Sequence, residues 1–114
     1  MKLASLNDGS KDGQLIVVSK DLTKFISATD IAPTMQNAMD NWDNIFDELN
    51  MLSKNLNSGK INSIEFEPKN VLSPLPRAYQ WADGSAYVNH VHLVRKARGA
   101  EMPDSFWSDP LMYQ

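Results

Sequence analysis

Short apolar stretches separated by turn residues fill the first part of the chain, apolar positions recur at helical spacing in the middle, and prolines punctuate the chain after that. Lys2 to Leu6 reads as a short strand, and Asn7-Asp8-Gly9-Ser10-Lys11-Asp12-Gly13 as a turn-rich loop, because Gly, Asn and Asp reach positive backbone angles cheaply. Gln14 to Ser19 carries the β-branched Ile16, Val17 and Val18 and predicts a second strand. Ser19-Lys20-Asp21 turns the chain into a third strand over Leu22 to Ala28, giving a small antiparallel meander. From Ile31 to about Asn57 the period becomes helical. Ile31, Met35, Ala38, Met39, Trp42, Ile45, Phe46, Leu49, Leu52 and Leu56 recur at spacings of three and four and share one face. Pro33 suits a first helical turn, where its missing donor costs nothing, and Gly59 is a natural stop. Asp40, Asp43, Asp47 and Glu48 lie off the apolar stripe and read as a solvated face rather than a metal cluster.

Lys60 to Val71 predicts a further strand with polar flanks, built on Ile61, Ile64, Phe66 and Val71. Pro68, Pro74 and Pro76 then favour extended backbone and discourage helix. That places a domain border near residue 70, with an amino-terminal domain over 1–70 and the start of a second over 71–114. Asp83 stands before a second, shorter helix whose first turn holds Gly84 and Ser85 and which runs to Arg98. Asp is a favoured N-cap, since its carboxylate accepts the orphan backbone donors. His90 follows Asp83 by seven residues, two turns along on nearly the same side, so one element aims a carboxylate and an imidazole at one pocket. Both residues also have ordinary uses, as a helix cap and as a surface histidine. The expected fold class is α+β: a small antiparallel sheet, one long amphipathic helix and a second shorter helix.

Composition narrows the function. A length of 114 residues allows a modest core without cross-links, and the absence of cysteine removes disulfides and thiolate metal sites. Eleven basic against fourteen acidic residues, a formal net charge of -3, suggests neither nucleic acid nor anionic membrane as a partner. The longest apolar run, Leu15 to Val18, is far short of the ~20 residues a membrane helix needs. Met1-Lys2-Leu3 meets the polar Asn7-Asp8-Gly9 too soon for a signal peptide, so a cytoplasmic location is expected.

The run Leu75-Pro76-Arg77-Ala78-Tyr79-Gln80-Trp81-Ala82-Asp83-Gly84-Ser85-Ala86-Tyr87-Val88-Asn89-His90, continued by Val94-Arg95-Lys96-Ala97-Arg98-Gly99-Ala100-Glu101-Met102-Pro103, Phe106-Trp107 and Asp109-Pro110-Leu111-Met112-Tyr113-Gln114, closely resembles bacterial members of the fumarylacetoacetate hydrolase family. Met1-Lys2-Leu3-Ala4-Ser5-Leu6 and Asp30-Ile31-Ala32-Pro33-Thr34 resemble the same group's amino-terminal domain. The resemblance implies a strongly bent, SH3-like sheet. It also implies a metal-dependent hydrolase acting on β-diketo acids, whose type reaction splits fumarylacetoacetate into fumarate and acetoacetate at the end of tyrosine and phenylalanine breakdown. By the same resemblance Asp83 is the first of four carboxylates on a Mg or Ca ion, and His90 activates water. A hard cation wants oxygen ligands and polarises a chelated diketone, while imidazole is suited to taking a proton from water near neutral pH.

Arg98 and Tyr113 fall near the positions of the substrate-holding Arg and Tyr of mammalian members once small length differences are allowed. Ser85 stands where those members carry another Tyr, which leaves the exact diketone open. Without any substrate, Arg95, Lys96 and Arg98 also complement a helix dipole. His92, two residues past His90, points elsewhere and reads as structural. In the family the other metal ligands, a Glu pair and an Asp, lie in a carboxyl-terminal catalytic domain, whereas this chain offers only Glu101, Asp104 and Asp109 after His90. The expectation is therefore an amino-terminal fragment of a homodimeric enzyme, inactive by itself. Two other readings stay open: a sister enzyme such as an acylpyruvate hydrolase, 2-oxo-acid decarboxylase or hydratase, and a non-catalytic protein-interaction module.

Overall fold

The computed structural model describes residues 1–84, 87–109 and 112. In chain order the elements are strands β1 (Lys2–Leu6), β2 (Gln14–Val18) and β3 (Lys24–Ser27), helices α1 (Met35–Asp40) and α2 (Trp42–Asn57), strand β4 (Ile64–Glu65) and helix α3 (Val88–Ala97). Single 3-10 turns occupy Pro68–Asn70 and Asp104–Trp107. The fold is α+β, and the chain divides into two compact units, Met1–Ala78 and Tyr79–Gln114.

In the first unit the four strands form an antiparallel sheet in the order β1-β2-β3-β4. β2 lies inside it, and its apolar run Leu15-Ile16-Val17-Val18 is buried on both faces. Successive side chains of a strand point to opposite faces. Leu15 and Val17 therefore pack with Met35, Ala38, Ile45, Leu49 and Leu56 of the helices, while Ile16 and Val18 join Phe25 in a second cluster. That second face is covered by Phe66 and Val71, with Phe66 set edge-on against Phe25 at 6.4 Å between ring centres. The cover comes from the segment after α2. Ile64 and Glu65 pair with the outer edge of β3, and Val71 bridges Leu6 on the opposite outer edge, so residues 64–71 close the sheet on itself.

Three expectations change in detail. The segment expected as a strand over Lys60 to Val71 is a two-residue strand followed by a 3-10 turn. The ladder runs one bond further, Phe66 N donating to Thr23 O at 2.9 Å, and stops before Pro68, which has no N–H to offer. The long helix is two helices separated at Asn41, whose backbone (φ -122, ψ 25) is not helical. Asn44 Nδ2 donates to Asn41 Oδ1 at 2.5 Å, an instance of a short amide bonding locally in competition with the helix. The apolar stripe continues across this break into one core, which is why its period reads as a single helix. Pro33 lies ahead of α1 rather than in its first turn, because Thr34 is the N-cap and its hydroxyl accepts from Asn37 N at 3.2 Å.

The stop at Gly59 is as expected. With φ +71 it follows the C-cap Ser58, while Gly59 N donates to Leu56 O and Lys60 N to Asn55 O, satisfying two of the last carbonyls of α2. Among the described residues no helix is long and apolar enough to cross a membrane.

Candidate functional site

Asp83, His90 and Arg98 lie in the second unit, which is built on α3. Val91 is the buried residue of this helix, and Val94 and Arg95 are half-buried beside it. The helix ends as α2 does: Gly99 at φ +67 donates to Lys96 O at 3.1 Å and Ala100 N to Arg95 O at 2.9 Å. Arg95 Nη1 donates to the carbonyl of Glu101 at 3.1 Å, so this guanidinium pins the turn that follows the helix. Beyond it the 3-10 turn sets the Phe106 and Trp107 rings edge to face, 5.3 Å apart at 81°.

The helix does not start where the sequence suggests. Its N-cap is Tyr87 and its first residue Val88, so Asp83 is not a cap, and Gly84 stands outside the helix. Asp83 is half-buried in extended backbone at an isolated bridge, a conformation that agrees with the poor helix-forming tendency of the Gly after it. His90 is exposed in the first turn of α3. Asp83 and His90 are therefore not two turns apart on a common helix. Asp83, Gly84 and Tyr87 stand outside the helix, and Ser85 and Ala86 lie outside the described residues.

Arg98 is exposed at the C-cap of α3, on the same helix as His90 but at its other end, about 12 Å along the axis at 1.5 Å per residue. Tyr113 lies outside the described residues. Among the described residues no group of three or more metal-ligating side chains comes together. Asp83, Glu101, Asp104 and Asp109 are thus not gathered around one point, as a shared Mg or Ca ion would need.

Two adjoining grooves lie on this unit. One, of about 490 Å³, is lined among the described residues by Tyr87, Val88, Asn89, His92, Met102 and Trp107. The other, of about 410 Å³, shares His92 and Met102 and adds Lys96, Gly99, Ala100 and Glu101. His92, set aside on sequence grounds, thus stands in the walls of both. The signal for it was its spacing of four from Lys96, which puts the two on one helical face.

Residues 1–77 match the family described as Fumarylacetoacetase N-terminal domain 2. The chain belongs to the fumarylacetoacetase family, amino-terminal part. No curated protein matches it in a sequence comparison. The span matching the fumarylacetoacetase family coincides to within one residue with the first compact unit, Met1–Ala78. Asp83, His90, Arg98 and Tyr113 all follow that span. Membership in the fumarylacetoacetase family speaks for a hydrolase in general.

Proposed function

We propose that the protein is the amino-terminal part of a metal-dependent hydrolase that cleaves a carbon–carbon bond of a β-diketo acid, converting fumarylacetoacetate to fumarate and acetoacetate in tyrosine and phenylalanine breakdown. The observation that carries this reading is the family match over residues 1–77, followed closely by an Asp and a His at the family's spacing. His90 takes a proton from the attacking water, a role supported by its exposure in the first turn of α3, where solvent and substrate reach it. Arg98 and Tyr113 hold the anionic substrate. Asp83 contributes one carboxylate to a Mg or Ca ion whose other ligands come from the carboxyl-terminal catalytic domain. The exposed Trp81, Tyr87, Leu93 and Trp107 support a surface that such a domain covers. The complete enzyme works as a cytoplasmic homodimer.

The test is an assay of the chain joined to its catalytic domain on fumarylacetoacetate and on several other oxo acids. Hydrolysis of fumarylacetoacetate that is lost in His90→Ala with metal affinity kept, and lost together with metal affinity in Asp83→Ala, supports the assigned roles. Equal loss of metal binding in both variants overturns them. Turnover of an acylpyruvate or a 2-oxo acid in place of fumarylacetoacetate moves the protein to a sister enzyme.

A further inference from the structure

Residues 70–77 run along the outer edge of β1, and the way they are fastened changes part-way. At first the attachment is backbone: Asn7 N donates to Asn70 O and Leu72 N to Ser5 O, both at 2.9 Å, on either side of the Leu6–Val71 bridge. Past Leu72 the chain carries Pro74 and Pro76, which have no N–H, so it cannot extend this ladder from those positions. Two side chains take over. The buried Ser5 hydroxyl donates to Pro74 O at 2.7 Å. Arg77 grips Asp12 through two nitrogens, Nε to Oδ1 at 2.7 Å and Nη2 to Oδ2. Next to Asp12, Gly13 lies close to Leu6 of β1 and to Leu72, the last residue of the backbone-bonded half.

We propose that residues 73–78 are a releasable strap: the Ser5 and Asp12 clasps and the packing of Leu75 hold them against the first unit, and opening the clasps leaves only that one apolar contact to give way while the four strands stay folded. The two halves differ in what their release costs. Freeing residues 70–72 breaks backbone bonds beside a buried cluster. Freeing 73–78 breaks one hydroxyl bond and one surface ion pair and lifts the half-buried Leu75 off the edge of the core, with no ladder bond lost. The strap leads directly into the Tyr79 unit, so its release lengthens the tether between the units by six residues, roughly 19 Å at the extension of a proline-rich segment. The Asp12 clasp also masks the Arg77 side chain, which makes the 77–78 peptide bond a reporter of the strap.

Trypsin cleavage of the whole chain, followed site by site by mass spectrometry, tests this. In Asp12→Asn, cleavage after Arg77 is expected to rise about threefold, the scale of an exposed two-pronged ion pair, while cleavage after Lys20 and Lys24 is unchanged. In the parent protein ~1 M salt should produce the same selective rise by screening the pair, and Asp12→Asn should not respond. Ser5→Ala should raise cleavage after Arg77 while keeping the parent's salt response. An Arg77 rate unchanged in Asp12→Asn, or one that rises only in step with the sites in the sheet, overturns the proposal. So does a Ser5→Ala rate equal to the parent's.

Discussion

A side chain at position 13 would run into the carbonyl of Leu6. A Cβ built on Gly13 lies 2.5 Å from Leu6 O and 3.1 Å from Leu72 Cδ1, and Gly13 itself has φ +66. The β1–β2 loop is thus packed against both its own strand and the segment that closes the sheet. Gly13→Ala is expected to cost about 2 kcal/mol or more, combining the left-handed backbone with the collision. Gly59→Ala, at φ +71 but with nothing within 4 Å, should cost only the backbone part, about 1 kcal/mol. Denaturant titration of both variants measures the difference.

Leu22 has the opposite problem, since it is a non-glycine residue at φ 61 on the surface of the β2–β3 turn. Leu22→Gly is expected to stabilise the protein by roughly 0.5–1 kcal/mol, the relief of the left-handed strain less the added freedom of the unfolded chain. The denaturation midpoint should rise.

The same turn carries an acid-sensitive group. Hydrogen bonds from the Ser19 hydroxyl, then from the Thr23 hydroxyl and backbone N–H, lower the Asp21 pKa from 3.8 to about 2. A carboxylate depressed in the folded state stabilises it above the unfolded value, and that contribution is lost as pH falls from about 4 through about 2. Melting temperatures over this window should therefore fall less steeply with acid in Asp21→Asn than in the parent protein.

On α2 two large apolar residues three positions apart should behave differently. Leu49 is fully buried in the core shared with β2, whereas Phe46 is 40% exposed beside Trp42. Leu49→Ala should cost about 2–5 kcal/mol through lost burial and a cavity. Phe46→Ala should cost clearly less, because its ring is only partly withdrawn from water. Equilibrium unfolding of the two variants checks the ranking.

Local order was legible in the chain wherever one stretch carried its own signal. The β-branched run at Ile16-Val17-Val18 marks β2, the three-and-four spacing from Met35 to Leu56 marks the helical region, and Gly59 marks its end, because strand pleat, helical period and left-handed caps are properties of neighbouring residues. The family could be read the same way, from residues in fixed order. Tertiary structure alone decided what depends on distant partners: that Val71 returns to Leu6 and closes the sheet, that Ser5 is a clasp for Pro74, and that Arg77 finds Asp12 across sixty-five residues. It also decided that α3 begins at Val88, which separates Asp83 from the helix that carries His90. No local rule fixes these, since each is settled by which backbone and side-chain groups the packing of the core brings within reach of one another.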